Sequence, residues 1–376
     1  MTHVLVLGSF APSLTIFRGP MIAEMVAAGW RVTACAPGAA EGAIGDALRE
    51  LGAEPVSVTL ARTGMNPLSD LAYRRELVGL LRALRPDVLI AYTAKPVIWG
   101  SLAAKAAGVP RVLAMVTGLG YAFTPPVRPN LRHAVAALSA RLLYRLALRQ
   151  VDYALFQNPD DRDLFARLGL SPPAERVGLI AGSGVDLDQF TPAEPPATLS
   201  FLMLARLLGA KGVREYAAAA RRLKARHPEV QFRLAGALDK GPDAISPDEL
   251  RDWTGNGVDY LGELDDVRPA LREAAIYVLP SYREGTPRSV LEAMAVGRPV
   301  ITTDTPGCRE TVVDGLNGLL VAPRDAAALE SAMARFIAEP ELAGAMGKAS
   351  LEIARSKYDV RLINAEIMKA VRSLAA

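Results

Sequence analysis

The feature that most constrains the fold is the alternation of short apolar runs with helical stretches along the whole chain. The first half contains six strand candidates (HVLVL, RVTAC, PVSVTL, DVLIAY, RVLAMV and DYALF), and the second half contains six more (SFLMLAR, QFRLAG, VDYLG, IYVLP, PVITT and GLLVAP). Near-continuous apolar strands that alternate with helices indicate parallel sheets covered on both faces. Because the pattern occurs twice, it predicts an α/β protein with two doubly wound, Rossmann-like domains.

Chain length and proline content also favour two domains. A single core rarely grows beyond about 250–300 residues, and this chain has 376. The segment FTPAEPPA at 190–197 has three prolines, which remove backbone donors and interrupt helices and strands. We therefore predict a first domain at 1–192, a second at 193–357 and a final amphipathic helix at 358–376. The apolar stripe of that helix consists of Val360, Ile363, Ile367 and Val371.

Composition excludes several classes of protein. Hydrophobic residues make up 51% and charged residues 22% of the chain, an ordinary balance for a globular protein. The two cysteines and three histidines have no spacing typical of a disulfide framework or a zinc site. The N-terminus lacks the basic region of a signal peptide, and no run of about 18 uncharged apolar residues predicts a membrane span. We therefore expect a cytoplasmic location.

One segment of the second half, YREGTPRSVLEAMAVG at 282–297, follows the strand candidate IYVLP. Thr286 is a good N-cap, Pro287 suits the first helical position, and Gly297 suits the position after a helix. We therefore predict a helix that begins at Pro287. Its first N–H groups lack intrahelical acceptors and carry the positive end of the helix dipole, which makes this end an anion site.

Two glutamates lie on either side of this helix start. Glu284 precedes the helix, and Glu292 lies inside it, about 7–8 Å beyond the start. A carboxylate accepts hydrogen bonds from vicinal hydroxyls, and a nucleotide sugar has such diols on its hexose and its ribose, with a diphosphate between them. The alternative is that Glu284 is a loop charge and Glu292 a solvated helix residue. The apolar neighbours Leu291 and Met294 favour the binding site.

A cationic pair follows another strand candidate. In RLLGAKG at 206–212, Arg206 closes the strand SFLMLA, and Lys211 precedes the helical stretch VREYAAAARRLKA. Arginine offers a bidentate fork to a phosphate and lysine a compact charge, so the pair would stabilise a diphosphate leaving group. The alternative is that Arg206 caps the strand and Lys211 is solvated. An arginine that ends an apolar strand needs a polar partner, which favours the phosphate-binding role.

These motifs resemble those of the retaining GT-B glycosyltransferases of family 4. EGTPRSVLE matches the E-x7-E motif of that family, and RLLGAKG matches its phosphate-binding pair R-x4-K-G. Further similarity lies in GSGVDLDQFTP, YLGELDDV, YVLPSYREG and PGCRETVVDGLNGLLV. A narrower resemblance, in MNPLSD, GLG near Gly118 and KGVREY, is to bacterial transferases that act on undecaprenyl-diphosphate-linked sugars. That subgroup includes the enzymes that add α-1,3-linked N-acetylgalactosamine to lipid-linked diacetylbacillosamine.

The resemblance implies a donor site in the second domain. Arg206 and Lys211 would hold the donor diphosphate. Glu284 would bond the donor sugar, and Glu292 would bond the ribose. Of these residues, Glu284, Arg206 and Lys211 would be catalytic. The other implied donor contacts are Gly8, Leu264, Gly285, Thr286, Ser289 and Val290.

The resemblance also bears on the domains and on metal ions. The helix at 358–376 would cross back to the first domain, and the two domains would face a central cleft. No cofactor or metal ion is expected, because the Arg/Lys pair and the helix dipole would neutralise the diphosphate. Asp186 and Asp188 superficially resemble a metal-binding D-x-D, but they belong to the motif at the domain junction.

The first domain departs from the family in one respect. Many members place a histidine at the end of the fifth strand, facing the donor sugar, whereas this chain has VTGLGYAF there and no histidine. Gly118 and Gly120 would instead allow the backbone to approach the sugar closely. Arg18 and Lys95 are candidate contacts for the diphosphate of a lipid-linked acceptor.

The segment 62–149 is strongly basic, with 13 Lys and Arg residues against three acidic residues. Its arginine-rich part, 128–150, contains Arg128, Arg132, Arg141, Arg145 and Arg149. Arg141, Arg145 and Arg149 recur on one helix face beside apolar side chains, a pattern typical of a helix that lies on an anionic membrane. The alternative is a buried helix with one solvated, arginine-rich face. Nucleic acid is not an expected partner, because no recognition motif is present.

The sequence and the resemblance together predict a retaining, metal-independent hexosyltransferase. It would move a hexose or N-acetylhexosamine from a UDP-sugar to a lipid-diphosphate-linked saccharide in bacterial glycan biosynthesis, at the inner face of the plasma membrane. Two alternatives stay open: a glycosidase that uses the glutamate pair, and a non-catalytic nucleotide-binding membrane scaffold. A glycosidase needs two facing carboxylates, whereas Glu284 and Glu292 lie on one short segment.

Overall fold

The computed structural model describes residues 1–60, 67–119, 121–123, 131–239, 241 and 243–375. The chain divides into two compact units. The first is formed by 1–183 together with 360–376, and the second by 184–359. Each unit contains one parallel β-sheet with helices on its faces.

The described residues of the first unit form seven strands: β1 (His3–Leu7), β2 (Arg31–Ala36), β3 (Glu54–Ser57), β4 (Val88–Tyr92), β5 (Arg111–Val116), β6 (Tyr153–Phe156) and β7 (Val177–Leu179). They pair in parallel in the order β3-β2-β1-β4-β5-β6-β7. The helices between them are α1 (Pro12–Ile16), α2 (Gly19–Ala27), α3 (Gly42–Glu50), α4 (Pro67–Leu84), α5 (Ser101–Ala107), α6 (Leu131–Leu148) and α7 (Pro159–Arg167).

Burial explains why the central strands of this sheet have near-continuous apolar sequences. Every residue of β1 and β4 is buried. Successive side chains of a strand point to opposite faces of the sheet. Leu5 and Leu7 accordingly join a core cluster with Val97 on one face, whereas Val4 and Val6 join a second cluster on the other.

The described residues of the second unit form six strands: β8 (Ser200–Leu204), β9 (Gln231–Ala235), β10 (Val258–Tyr260), β11 (Ile276–Leu279), β12 (Val300–Thr303) and β13 (Gly318–Val321). Their order is β10-β9-β8-β11-β12-β13, and all pairs are parallel. The helices are α8 (Val213–Arg226), α9 (Pro247–Gly255), α10 (Arg268–Arg272), α11 (Arg288–Ala295), α12 (Ala326–Ala338) and α13 (Glu341–Ile353).

The strand order reverses once in each sheet. The reversal lies between β1 and β4 in the first unit and between β8 and β11 in the second. In open α/β sheets such a topological switch point, at the carboxyl ends of the strands, is where ligands bind. The prediction of two doubly wound α/β domains is confirmed.

The last helix of the chain, α14 (Val360–Ala375), packs on the first unit. Its buried stripe contains Ile363, Ile367, Met368 and Val371, in the same core cluster as Val4 and Val6. The guanidinium of Arg111 donates a hydrogen bond to the carbonyl of Leu374 at 2.9 Å. The amphipathic stripe predicted from the sequence is thus the face that packs on the core.

The border between the units lies at 183/184, before the proline-rich segment, and not at the predicted position 192/193. The reason lies in the contacts of that segment. The amide of Ala193 donates to the carbonyl of Val296 at 3.1 Å, and the guanidinium of Arg298 donates to the carbonyl of Glu194 at 3.2 Å. These bonds attach the proline-rich segment to the second unit.

Strand β7 is absent from the sequence-based predictions. It has three residues, none of which is buried, and Gly178 interrupts its apolar character. It lies at the edge of the sheet and, among the described strands, pairs only with β6. A short, half-exposed edge strand lacks the continuous apolar run that identified the other strands.

Candidate functional site

Two loops meet at the switch point of the second unit. One follows β8 and includes a 3-10 turn at Gly209–Lys211, and the other occupies 280–287 between β11 and α11. The amide of Tyr282 donates to the carbonyl of Ala210 at 2.9 Å. The hydroxyl of Ser281 lies 3.2 Å from the same carbonyl oxygen. These contacts bring the two motifs found in the sequence into one site.

An ion pair between Lys211 and Glu284 joins the two loops. Nζ of Lys211 donates to Oε1 of Glu284 at 2.5 Å, and the Ser281 hydroxyl donates to the same oxygen at 2.7 Å. The lysine and glutamate side chains are 23% and 15% exposed. The pair is therefore partly shielded from water, which strengthens its attraction. This pairing excludes the alternative in which Lys211 is a solvated cation.

Two glycines allow the close backbone approach that this site needs. Gly212 has φ +76°, and a Cβ atom there would lie 2.1 Å from the carbonyl oxygen of Pro280. Gly307 has φ +83°, and a Cβ atom there would lie 2.2 Å from the carbonyl oxygen of Glu284. Only glycine combines positive φ with the absence of a side chain. Gly307 is thus a residue of the candidate site that the sequence motifs did not indicate.

Helix α11 begins one residue later than predicted. Pro287 is its N-cap, with ψ 109°, and the first helical residue is Arg288. Thr286 therefore lies outside the cap position. The amide of Val290, predicted to meet phosphate, donates to the carbonyl of Pro287 at 3.1 Å. The helix ends as predicted, with Gly297 at φ 82° after the C-cap.

Glu292 is buried inside α11, with 9% of its surface exposed. Its Oε1 accepts a hydrogen bond from Nε of Arg288 at 2.7 Å, one helical turn earlier. Burial raises the pKa of Glu292 because it disfavours the charged carboxylate, and the positive charge of Arg288 opposes that shift. This burial excludes the alternative of a solvated helix residue. The ion pair of Arg288 with Glu292 was not predicted, although the two residues have the i, i+4 spacing that favours such pairs on a helix.

Tyr277 connects the strands to the start of α11. Its hydroxyl lies 2.6 Å from Oγ of Ser289 and 3.1 Å from the carbonyl oxygen of Leu204. Burial raises the pKa of Tyr277 far above its ordinary value, so the phenol stays protonated. Tyr277 fixes Ser289, one of the predicted donor contacts, at the first turn of the helix. Nothing in the apolar run IYVL distinguished this tyrosine.

Arg206 lies after β8 but contacts a different partner from Lys211. Its guanidinium donates to Oδ2 of Asp239 at 2.8 Å, and its side chain is 52% exposed. Asp239 follows β9, the neighbour of β8 on the other side from β11. Arg206 thus lies at the carboxyl edge of the sheet, as predicted, with half of its side chain open to solvent.

The other predicted donor contacts of the second unit lie along the same edge of the sheet. Gly285 is buried and Thr286 half-buried in the loop before α11. Leu264 is half-buried in the loop that follows β10. Their places are consistent with a site beyond the carboxyl ends of the strands. Their contacts with a donor remain predictions.

Two family models match the chain in succession. The model described as "Glycosyl transferase 4-like domain" matches residues 19–182, and the model described as "Glycosyl transferases group 1" matches 198–339. The second match contains both switch-point loops of the second unit. The chain belongs to these glycosyltransferases. The family resemblance found in the motifs is confirmed.

A curated relative matches this glycosyltransferase over most of its length. The chain is 29% identical over 336 residues to the N,N'-diacetylbacillosaminyl-diphospho-undecaprenol alpha-1,3-N-acetylgalactosaminyltransferase of Campylobacter jejuni, and the match covers 86% of each protein. Most of the chain can thus be compared with one enzyme.

Solved structures support the GT-B fold of the glycosyltransferase. Sucrose-phosphate synthase from Thermosynechococcus elongatus is similar at a TM-score of 0.84, with 20% identity, covering 100% of this chain and 99% of that one. HepE of Anabaena, solved in complex with UDP-glucose, is similar at a TM-score of 0.78, with 20% identity. The match covers 99% of this chain and 100% of HepE. The predicted GT-B fold class, with two Rossmann-like domains, is confirmed, whereas the cleft between the domains stays a prediction.

In the first unit of the glycosyltransferase, Gly8 and Arg18 both contact Tyr92. A Cβ atom at Gly8 would lie 2.4 Å from the hydroxyl oxygen of Tyr92, so glycine is required for this packing. Arg18 is 3% exposed, and its guanidinium lies 5.1 Å from the centre of the Tyr92 ring. The Tyr92 hydroxyl also lies 2.8 Å from Oγ of Ser13. Gly8 and Arg18 thus have packing roles beside the binding roles predicted for them.

Lys95 is also partnered within the first unit. Its Nζ donates to Oδ1 of Asp70 at 2.8 Å, and the two side chains are 15% and 8% exposed. Nearby, Thr93 has φ 69°, which is unusual for a β-branched residue, and its hydroxyl donates to Oγ of Ser9 at 2.9 Å. Ser9 and Thr93 follow β1 and β4, so they lie at the switch point of this sheet. Nothing in the sequence motifs indicated this pair.

Gly118 has φ 132°, a backbone conformation that favours glycine. That conformation is a local reason for the residue, beside the predicted approach to the sugar. Gly120, the other predicted backbone contact, lies outside the described residues.

The predicted basic face is only partly present on α6. Arg141 is exposed on the helix, whereas Arg149 follows its last residue. Arg145 donates to the carbonyls of Leu168 and Gly169 at 3.0 and 3.2 Å, so part of its guanidinium bonds to the end of α7. Arg128 and the side chain of Arg132 lie outside the described part of the chain.

Within the described ranges, no group of three or more His, Cys, Asp and Glu side chains has an arrangement that would hold a metal ion. The side chain of Asp186 accepts bonds from the amides of Asp188 and Gln189 at 2.9 and 3.2 Å, so it stabilises a turn. Among the described helices, none is long and apolar enough to cross a bilayer.

Proposed function

We propose that this glycosyltransferase transfers a hexose, in particular an N-acetylhexosamine, from a UDP-sugar to a lipid-diphosphate-linked saccharide. The transfer retains the anomeric configuration and needs neither a metal ion nor a cofactor. The acceptor belongs to bacterial glycan biosynthesis, and the enzyme works in the cytoplasm at the inner membrane surface. The Campylobacter relative, named for a diphospho-undecaprenol acceptor and N-acetylgalactosamine transfer, supports the acceptor class and the sugar class.

The observation that carries this proposal is the cluster of Lys211, Glu284 and Ser281 at the switch point between β8 and β11. There the ammonium of Lys211 and the hydroxyl of Ser281 both donate to Oε1 of Glu284, at 2.5 and 2.7 Å. The first turn of α11 follows directly, and its N–H groups favour an anion. A nucleotide sugar needs this combination, because its diphosphate is anionic and its sugar hydroxyls are donors.

Each charged group then has a distinct task. Lys211 and the first turn of α11 neutralise the negative charge that develops on the departing diphosphate. Glu284 accepts hydrogen bonds from the donor sugar and orients its anomeric carbon. Glu292, held by Arg288 one turn into the helix, accepts from the ribose hydroxyls. Arg206, half exposed at the same edge, is a second cation for the diphosphate.

In the proposed reaction, the bond between the anomeric carbon and the donor phosphate oxygen breaks. The acceptor hydroxyl oxygen bonds to that carbon on the same face, and its proton passes to the departing phosphate oxygen. UDP leaves with that proton, and no protein residue changes its protonation state overall. The cations assist because they stabilise the phosphate oxygens that become anionic.

A glycosidase is the weaker interpretation of the glutamate pair. Such enzymes place two carboxyl groups on opposite sides of the scissile bond, about 5–10 Å apart. Here Glu284 is bonded to Lys211 and Glu292 to Arg288, and both belong to the segment that leads into α11. Two carboxylates that are each neutralised by their own cation are better suited to orienting a ligand than to proton transfer.

The proposal is tested first by a donor screen. UDP-, GDP- and ADP-sugars are compared for the increase in melting temperature that they cause, because a ligand that binds only the folded state stabilises it. The donor that binds is then incubated, in the presence of EDTA, with undecaprenyl-diphosphate-linked diacetylbacillosamine. Mass spectrometry measures the transfer, and the coupling constant of the new anomeric proton gives the configuration.

We expect a UDP-sugar to stabilise the protein and the product to retain the donor configuration. The Glu284→Gln variant should melt normally and lose transfer. UDP binding without transfer to any lipid-linked saccharide would instead indicate a nucleotide-binding scaffold. Release of sugar from a glycoside without any nucleotide would indicate a glycosidase.

A further inference from the structure

Helix α6 carries an apolar stripe that its own fold leaves uncovered. The largest exposures on it are those of Leu131 at 80% and Leu138 at 70%. We call the α6 stripe the set of exposed side chains Leu131, Val135, Leu138, Leu142 and Leu146. Exposed apolar residues scattered singly are common, but a continuous row on one helix marks an interaction surface.

Helix geometry shows that these side chains form one row. At about 100° per residue, the five positions of the α6 stripe fall within an arc of roughly 80°. The buried side chains of the same helix, Ala140, Tyr144, Ala147 and Leu148, belong to the core of the first unit. They occupy the opposite side of the helix. The α6 stripe therefore faces away from the core that holds α6 in place.

The charged residues of α6 itself are all basic. Helix α6 contains no acidic residue. Arg141 is exposed on one flank of the stripe, and Arg149 extends the row just beyond the last helical residue. Arg145 lies between them and bonds to the end of α7 while its side chain stays exposed. An apolar row with positive charges on its flank matches the interface of an anionic bilayer.

We propose that the α6 stripe lies in the surface of an anionic lipid bilayer and holds the first unit of the enzyme there. The inference rests on the proposed function only in that a lipid-linked acceptor requires a membrane. A second copy of the chain is a poorer occupant, because it would present the same basic helix and no opposite charge. The five apolar side chains would enter the interface, while the arginines would meet lipid phosphates.

The test is flotation of the full-length protein with vesicles of equal parts phosphatidylglycerol and phosphatidylcholine. The Leu138→Gln/Leu142→Gln variant removes apolar area from the α6 stripe without changing charge. Its matched control is Val313→Gln/Leu316→Gln, which alters two exposed apolar residues of the second unit. We expect about tenfold weaker vesicle binding for the stripe variant and unchanged binding for the control.

A second variant, Arg141→Gln/Arg149→Gln, separates charge from apolar contact. It should weaken binding to the anionic vesicles by roughly 30-fold and should not alter the weaker binding to vesicles of phosphatidylcholine alone. UDP affinity is measured for every variant and should stay constant, since the α6 stripe belongs to the first unit. A wild-type protein that binds UDP but not the vesicles would overturn the membrane inference and leave the donor site intact.

Self-association is checked on the same proteins by sedimentation equilibrium. A dimer of the wild-type protein that Leu138→Gln/Leu142→Gln dissociates would show that a second copy covers the α6 stripe, which contradicts the proposal. A monomer in both cases, together with lost flotation of the stripe variant, supports it.

Discussion

Nζ of Lys211 lies 2.5 Å from Oε1 of Glu284, although the two residues are separated by 73 positions in the sequence. The pair bridges the loops that follow β8 and β11, on the two sides of the switch point. In the proposed donor site, the cation assigned to the diphosphate and the carboxylate assigned to the sugar are therefore held together before a donor binds. The proposal implies that donor affinity depends on the geometry of the loop that carries Glu284.

Gly307 is predicted to set that geometry. An alanine there would place Cβ 2.2 Å from the carbonyl oxygen of Glu284 and would adopt φ +83°. Because of this clash, the loop that carries Glu284 must shift. We expect Gly307→Ala to weaken UDP-sugar binding at least about tenfold, because a displaced Glu284 carboxylate no longer reaches the donor hydroxyls in the right geometry. Isothermal titration calorimetry with the identified donor measures the change.

Gly315→Ala is the matched control for this variant. Gly315 has φ +76°, but nothing lies within 4 Å of the position that its Cβ atom would take. Both substitutions carry the conformational penalty of about 1 kcal/mol for alanine at positive φ, and only the first displaces Glu284. Equal donor affinity of the two variants would show that the loop position is unimportant.

Donor binding is predicted to weaken in mild acid because Glu292 becomes protonated. Burial raises the pKa of Glu292 above its ordinary value of 4.5, against the opposing effect of Arg288. A protonated carboxyl group accepts fewer hydrogen bonds from the ribose. UDP affinity should therefore fall as the pH decreases through the raised pKa of Glu292, and it should fall less in Glu292→Gln, where this group does not titrate. Parallel pH profiles of the two proteins would contradict the ribose role, because the titration of UDP itself is common to both.

The same raised pKa predicts the pH dependence of stability. Between 4.5 and the folded pKa of Glu292, the folded protein binds more protons than the unfolded chain. The protonated form of Glu292 therefore contributes its full share to the free energy of unfolding below pH 4.5. This contribution is lost as the pH rises through the pKa of Glu292 in the folded protein. We expect Glu292→Gln to gain stability relative to wild type between pH 5 and pH 8. Urea unfolding at both values measures this difference, and a difference independent of pH would contradict the burial effect.

Arg298 is predicted to be a structural residue of the second unit. It is completely buried, and burial lowers its pKa to about 10. Its guanidinium donates to the carbonyls of Leu271, Arg272 and Glu194 at 3.0–3.2 Å. Arg298→Met would leave these acceptors without a donor, so we expect a loss of about 2–4 kcal/mol in the free energy of unfolding.

The exposed Arg272 is the control for this substitution. Its guanidinium bonds at the surface to the hydroxyl of Thr191 at 3.1 Å. Arg272→Met should change the free energy of unfolding by less than about 1 kcal/mol. Urea denaturation compares the two variants. Equal effects would show that the buried bonds of Arg298 do not stabilise the unit.

The sequence was sufficient to predict the fold class and the neighbourhood of the site. Continuous apolar strands and two motifs with known spacing determine both, because strand ends of a parallel sheet share one edge. The partner of each charge was not predictable. Lys211 bonds to Glu284 and Arg206 to Asp239, and only the strand order decides which loops are adjacent.

The predicted N-cap of α11 and the predicted surface of α6 differ from the structure for local reasons. Pro287 takes the N-cap position in place of Thr286, because proline fixes φ but leaves ψ free to be extended. On α6, the sequence placed apolar side chains beside the arginines, but it did not show which of these side chains are exposed. Exposure of Leu131 and Leu138 depends on which face packs on the core, and two apolar faces on one helix cannot be ranked without the fold.

The most direct test of the central claim is the affinity of Lys211→Ala for UDP, measured by titration calorimetry. Lys348→Ala, an exposed lysine on α13 in the same unit, is the control. A charged hydrogen bond to the diphosphate contributes about 1.5–3 kcal/mol, so the account predicts UDP binding at least about tenfold weaker in Lys211→Ala and unchanged binding in Lys348→Ala. UDP affinity equal to wild type in Lys211→Ala, with the protein folded, would contradict the assignment of the donor site.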